Sequence, residues 1–322
     1  MISVILPTRN RASLLNAALA SICNQTLDRD KYEIIVVDNG SSDNTSEIVG
    51  RHSTDRNKIQ YIYEERPGLH VGRNLGFKLA RYENLVFVDD DIQALPCWLE
   101  SINQTLENEN VGLVAGNNYP FFEVPPPSWV LSLWNKKNKR GYSAISQFSI
   151  VDFGRTNGMV DPGWVWGCNF PVRKTLLEAT RGFNPDGFPK DLLRYRGDGE
   201  TSVTNYMTKN SIRAKYNPRA SVYHTVSESR MSFNYFHERG FLQGISASYT
   251  DFREGINHDN FRIRYSFLRK LRSILKVSDM NHALAEFRSG YIKGYKFHRE
   301  EVVKDPSLYE WVMKEDYTHD ID

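Results

Sequence analysis

What this 322-residue sequence has little of narrows the field first. It holds only three cysteines, Cys23, Cys97 and Cys168, far apart along the chain. An odd, scattered set does not make a disulfide framework, so a reducing cytoplasm is the expected setting. No cysteine sits with histidine at zinc-ligand spacing. Charge of one sign is also lacking, because 41 basic residues offset 39 acidic ones for a net charge of +2. Nucleic acid as a partner would call for a basic excess on one face, and is not expected. No apolar run approaches the ~20 residues that span a bilayer. The chain enters Ile2-Ser3-Val4-Ile5-Leu6 without the basic stretch and apolar core of a signal peptide. There is no Gly-Lys-Ser/Thr loop, so the P-loop mode of holding phosphates is excluded. Internal repeats and low-complexity tracts are missing too.

What is present is enough apolar material, 40% hydrophobic and 12% aromatic, for a sizeable core. Ile2 to Leu6 reads as a buried strand. Ser13 to Cys23 follows with Leu14, Leu15, Ala18, Leu19 and Ile22 at helical spacing, and Ser13 as an expected cap. Strands are expected at 33–37, 59–63 and 85–88, with helices at 43–49 and 74–81 between them. Strands alternating with helices imply an α/β fold with a mostly parallel sheet flanked by helices. Ligands bind such sheets beyond the carboxyl ends of the strands. The segment from Pro120 to Ile150, with Pro125-Pro126-Pro127, reads as an irregular insertion. Further on, helices are expected from Arg173 to about Thr180 and from Thr201 to Lys209, and a strand from Ala220 to His224. Beyond Ser232 the chain reads as helical. The stretch 261–276 carries Arg262, Arg264, Arg269, Lys270, Arg272 and Lys276 without an acid. It suits either a packed helix with a solvated basic face or peripheral contact with the inner face of a membrane.

Chemistry is expected where polar clusters end buried strands. Leu85-Val86-Phe87-Val88 runs into Asp89-Asp90-Asp91. Three adjacent carboxylates repel one another unless a cation neutralises them. Hard oxygen ligands suit Mg²⁺ or Mn²⁺, which in turn suit phosphates. Asp89 and Asp91 alternate on an extended segment and share a face. An acid such as Asp38, ending the second strand before Asn39-Gly40-Ser41-Ser42-Asp43, can accept hydrogen bonds from a base or ribose, and Asp43 can cap the next helix. Pro67-Gly68-Leu69-His70-Val71-Gly72-Arg73-Asn74-Leu75-Gly76 supplies a glycine-rich turn, with Arg73 expected near a helix start where it could meet phosphate or a base edge.

Taken in order, Ser3-Val4-Ile5-Leu6-Pro7-Thr8-Arg9-Asn10-Arg11, Glu33-Ile34-Ile35-Val36-Val37-Asp38-Asn39-Gly40-Ser41-Ser42-Asp43, Gly72-Arg73-Asn74-Leu75-Gly76 and Phe87-Val88-Asp89-Asp90-Asp91 resemble the signature of family 2 glycosyltransferases. Strong resemblance covers about the first 120 residues, and a looser one continues to about His224. It implies the GT-A fold and an inverting transfer from a nucleotide-diphosphate sugar, UDP being the commoner donor nucleotide in the family. The implied organisation is a GT-A domain over 1–230 (a nucleotide-sugar half to 118, an acceptor half from 119) and a helical region over 231–322. By position, the resemblance places Pro7, Thr8 and Arg9 beside the nucleotide, Asp38 on the base and Arg73 near base or diphosphate. Asp90 approaches the ribose or sugar. Asp91 is the principal ligand of Mn²⁺ or Mg²⁺, with Asp89 in support.

Inversion also needs a carboxylate to take the acceptor proton. In the family this base lies in a Gly-Glu-Asp run before a helix, and here the corresponding segment is Arg196-Gly197-Asp198-Gly199-Glu200-Thr201. A glycine separates the two acids. Alignment on the following helix selects Glu200 as the base and leaves Asp198 as the alternative; capping of that helix by Asp198 is a further use for the pair. Trp164 to Phe170 resembles the segment lining donor sugar and acceptor, with the Trp166 face against sugar C–H groups and Asn169 bonding a hydroxyl. His224 matches a histidine that in some members reaches the metal or diphosphate. The implied acceptor is a glycan or lipid-linked glycan in polysaccharide or glycoconjugate biosynthesis. A nucleotidyltransferase, or a non-catalytic binding module of the same fold, remains as an alternative.

Overall fold

A computed structural model of the chain describes residues 1–55, 57–108, 111–154, 157–256 and 278–318. The basic stretch 261–276 lies outside them, as do residues 319–322.

Four parallel strands form the heart of the fold: β1 (Ile2–Thr8), β2 (Tyr32–Asp38), β3 (Ile59–Tyr63) and β4 (Asn84–Val88). β1, β2 and β4 are buried along their whole length. This is why they read as unbroken apolar runs rather than alternating ones. Alternate side chains feed two cores: Ile2, Val4, Leu6, Ile34 and Val36 on one face, Ile5, Ile35, Val37, Leu85 and Phe87 on the other. Helices α1 (Ala12–Cys23), α2 (Thr45–His52) and α3 (Leu69–Leu79) complete the crossovers. Two boundaries differ from expectation. Ser13 does not cap α1; Arg11 occupies that position without a side-chain cap bond. Helix α3 starts at Leu69, not Asn74, so Arg73 lies inside it and is buried rather than at an exposed helix start.

After β5 (Ile92–Ala94) and α4 (Trp98–Asn108), the chain adds β6 (Leu113–Ala115) to the main sheet and then builds a second one. The segment expected to be irregular contains β7 (Asn118–Phe122), α5 (Ser128–Asn135) and β8 (Ser143–Ile145), followed by β9 (Ile150–Asp152). The three prolines end at the α5 N-terminus, where the ring does no harm. β10 (Gly158–Val160), β11 (Asn169–Arg173), α6 (Lys174–Thr180), α7 (Thr201–Lys209), β12 (Ala214–Tyr216) and β13 (Val222–Val226) follow. The main sheet runs β10-β12-β6-β11-β4-β1-β2-β3, and the second β5-β13-β7-β9-β8. The result is a GT-A α/β architecture with a helical C-terminal region.

Among the described residues, that region holds α8 (Phe233–Arg253), α9 (Asp279–Lys304) and α10 (Pro306–Met313). His237 meets Glu286 at 2.9 Å and Ser248 meets His298 at 3.0 Å, so α8 and α9 run parallel. Their backbones touch: a methyl group added to Gly240 would overlap the Phe287 carbonyl, and one on Gly290 the His237 carbonyl. The pairs Gly240/Gly244 and Gly290/Gly294 therefore form a small-residue seam on both helices. Among the described residues no helix is long and apolar enough to cross a membrane.

Candidate active site

Strand order brings the expected residues to one edge. β1, β2 and β4 end side by side, at Thr8, Asp38 and Val88. β11 runs antiparallel to β4 with Asn169 opposite Val88, which carries the turn before it to Asp89. In the second sheet, β13 pairs with β5 so that His224 stands opposite Ile92, and the Thr225 N–H donates to the Asp91 carbonyl at 2.9 Å. Two antiparallel registers, each between segments more than 80 residues apart, thus bring late residues to the acidic triplet.

A cavity of about 250 Å³ opens at this edge, lined by Pro7, Thr8, Arg9, Arg11, Asn39, Leu69, Asp89, Asp90 and Gly187. Asn10, at the cavity's rim in sequence, holds a left-handed φ of 53° and accepts from the Ser42 N–H at 2.7 Å, tying the β1 loop to the β2 loop. Asp43 ties the same loops, accepting from the N–H groups of Ala12 and Thr45, both at 3.1 Å.

The three carboxylates are treated differently. Asp90 accepts from the Thr8 hydroxyl at 2.7 Å and from Arg11 at 2.6 Å. Burial nonetheless raises its carboxyl to about 7, with the Asp91 charge adding to the rise against the pull of Arg11. Burial also raises Asp89, assisted by Asp91 and opposed by Arg73. Burial acts on Asp91 in the same sense, but His224, Arg11 and Arg230 outweigh it and hold Asp91 well below the usual carboxylate range. Its oxygen Oδ2 takes Arg11 at 2.8 Å and Arg230 at 2.9 Å, while Oδ1 faces His224 Nε2 at 3.1 Å. Ligand atoms of Asp89, Asp91 and His224 lie within 4.8 Å of one another. Asp91 Oδ1 and His224 Nδ1 are buried without a hydrogen-bond partner. Two carboxylate oxygens and an imidazole nitrogen make a donor set that suits a divalent cation.

Other expected residues sit elsewhere. Asp38 is 2% exposed, and its oxygens are taken by the Ser41 N–H at 2.8 Å and the Tyr61 hydroxyl at 2.7 Å; its neighbour Asn39 lines the cavity instead. Asn169 is built into a buried network, accepting from Trp98 Nε1 at 3.1 Å and donating to the Ala220 carbonyl at 3.0 Å and Asn118 at 3.3 Å. Trp166 is half-buried and packs against both cores, its ring centre 6.2 Å from that of Trp164. Of the two candidate bases, only Glu200 reaches the acidic cluster. Its Oε1 accepts from the Gly167 N–H and its Oε2 from Arg73, both at 3.1 Å, and the other Arg73 nitrogen donates to Asp89 at 3.1 Å. Asp198 points away, accepting from Asn184 and Thr250 at 2.8 Å each, and burial raises its carboxyl. Neither acid makes a side-chain cap bond at α7.

Sequence reasoning missed Arg11, Arg230, Asn39, Leu69 and Gly187 as site residues. Arg11 closes the Thr8-Arg9-Asn10-Arg11 run, so its place in the motif was a usable signal. Arg230 follows β13 in a short 3₁₀ turn and carried none.

Comparison with known proteins agrees with this geometry. Residues 3–170, over half the chain, match the model of glycosyl transferase family 2, and the chain belongs to that family. It is 38% identical over 218 residues to a validoxylamine A glucosyltransferase of Streptomyces hygroscopicus subsp. jinggangensis, covering 62% of this chain and 49% of that protein. It is 37% identical over 117 residues to glycosyltransferase AglE of Haloferax volcanii, covering 36% and 38%. The chain thus spans less than half the length of these curated relatives. Among solved structures it is similar to the mannosyltransferase PcManGT from Pyrobaculum calidifontis in complex with GDP-Man and Mn²⁺, with a TM-score of 0.54 at 19% identity over 95% of this chain and 75% of that one. S. aureus TarS 1–349 in complex with UDP-GlcNAc gives a TM-score of 0.53 at 17% identity, covering 94% and 91%. These two likenesses concern the fold.

Proposed function

We propose that this chain is an inverting, metal-dependent glycosyltransferase. It moves a sugar, of hexosyl or N-acetylhexosaminyl type, from a nucleotide-diphosphate sugar to a hydroxyl of a glycan or lipid-linked acceptor, in the cytoplasm. The observation that carries this reading is the gathering of Asp89, Asp91 and His224 ligand atoms within 4.8 Å at the edge of a cavity lined by Pro7, Thr8 and Arg9.

Asp91, Asp89 and His224 would hold Mn²⁺ or Mg²⁺. An ion held there would supply Lewis-acid stabilisation of negative charge on the departing diphosphate. Arg11 and Arg230 both lie against Asp91, and planar guanidinium groups suit diphosphate oxygens. Asp90 faces the cavity with Thr8 and is the residue to meet the ribose or sugar hydroxyls. Asn39, lining the cavity where Asp38 does not, takes over the side-chain contact with the base. Glu200 acts as the general base and removes the proton of the attacking hydroxyl. A single guanidinium, that of Arg73, is shared between Glu200 and Asp89 at 3.1 Å each and fixes the base beside the metal-side carboxylate. UDP is the proposed donor nucleotide, on the frequency of that nucleotide in the family.

The experiment is a donor screen. UDP and GDP are titrated with and without Mn²⁺, and a panel of UDP- and GDP-sugars is followed for slow nucleoside diphosphate release to water. Metal-dependent binding with release from one donor is the expected result. Metal-independent binding and no release from any sugar nucleotide would leave a binding module and sink the proposal.

A further inference from the structure

We infer that Arg73 is a positioning residue for the base, holding the Glu200 carboxylate opposite Asp89, and makes no contact with the nucleotide. This rests on the reading of Glu200 as the base.

Burial speaks against a nucleotide contact first. Arg73 is 3% exposed and does not line the cavity that Arg9 and Arg11 share. It sits inside α3, and its guanidinium lies 5.6 Å from the centre of the Phe183 ring. Gly167 covers it from outside: any side chain at 167 would overlap the guanidinium. Both terminal nitrogens are already committed, one to Glu200 and one to Asp89.

The Glu200 side supplies the purpose. Glu200 stands at the N-terminus of α7 yet does not cap it. Its carboxylate turns instead to the Gly167 N–H and to Arg73, so each oxygen has one fixed donor. A glutamate has three side-chain torsions to lose, and an unheld base spends little time in the attacking geometry. Two donors from separate places, the turn before β11 and helix α3, define that geometry. Asp89 shares the same guanidinium, so the metal-side carboxylate and the base are spaced by one rigid planar group.

The test uses the full chain carrying Arg73→Gln, Arg73→Lys, Gly167→Ala, Glu200→Gln, and Arg73→Gln combined with Glu200→Gln. Binding of UDP and GDP with Mn²⁺ is measured by calorimetry, and nucleoside diphosphate release from the active donor at saturation. Arg73→Gln is expected to leave nucleotide affinity within about threefold while release at saturation falls ~100-fold. Lysine at 73 restores part of the rate, since it can reach one carboxylate. In the Glu200→Gln background the Arg73 change costs nothing further. Should Arg73→Gln fail to fold, Gly167→Ala keeps the guanidinium and displaces it, and must show the same loss of rate at unchanged affinity. A tenfold or greater loss of nucleotide affinity in either variant, or an additive rate loss in the double variant, overturns the inference. Full release by Glu200→Gln alone would instead remove the base reading beneath it.

Discussion

The strand edge that forms the site and the α8–α9 pair behind it both hold polar groups in place, by opposite means. At the edge, largely apolar strands are packed by side chains on two faces, and the charged groups of the site stand at their carboxyl ends. In the helix pair, backbones meet through Gly240 and Gly290 with little side chain between them. The first arrangement leaves its charged groups to face a ligand. The second spends polar groups on the loop that carries Glu200: Ser246 donates to the Gly197 carbonyl at 2.7 Å and Thr250 to Asp198 at 2.8 Å, and Trp311 of the adjoining α10 donates to the Tyr195 carbonyl at 3.0 Å. Arg194 reaches both Glu301 and Asp305. The C-terminal helices are therefore part of the site's frame.

That contrast can be broken at either end. Glu200→Gln should show the largest effect, a loss of roughly 10³-fold in nucleoside diphosphate release with donor binding intact; retained turnover would return the role to another group. Gly290→Ala should cost about 3 kcal/mol or more in urea unfolding, because the added methyl meets backbone that cannot step aside. A cost below ~1 kcal/mol would mean the seam is loose. Asp91→Ala should weaken nucleotide binding in Mn²⁺ by ~30-fold or more and erase its metal dependence; equal affinities with and without Mn²⁺ in the wild type would remove the metal site.

A fourth prediction concerns acid. Burial lowers His298, which is wholly enclosed, to about 4 from an ordinary 6.5. Its neutral form stabilises the fold above pH 6.5, and that contribution is lost as pH falls through about 4. At pH 5 this one group should lower stability by about 2 kcal/mol relative to pH 7, read as a fall in Tm that His298→Gln flattens. An identical acid limb in the variant would show that His298 does not carry it. The smallest effect is expected from Asp198→Asn. Its partners Asn184 and Thr250 are structural, so release should stay within about threefold. A loss matching that of Glu200→Gln would exchange the two acids' roles.

How much was legible follows the same divide. The apolar strands and the acids that end them are local patterns, and β3 and α7 begin and end where the sequence placed them. Arg73 was legible as a motif residue but not as a buried one, because the start of α3 at Leu69 is set by packing and lacks a side-chain cap. The 120–150 segment was misread because its strands are three to five residues long, and β7, which ties it to the rest of the sheet, pairs with β13 about a hundred residues on. The spacing Gly240/Gly244 and Gly290/Gly294 was visible, but a glycine has no chemistry that announces which backbone will approach it.

By itself, the sequence determined the strands of the parallel sheet, the acidic triplet that ends one of them and the family to which the chain belongs, since each is written in short local runs of residues. Tertiary structure alone decided that His224 faces Asp91, that Glu200 rather than Asp198 stands beside Arg73, and that Asp38 is tied up by Tyr61. Those outcomes depend on strand registers and loop anchors between segments tens to more than a hundred residues apart, where a shift of one residue turns a side chain to the opposite face.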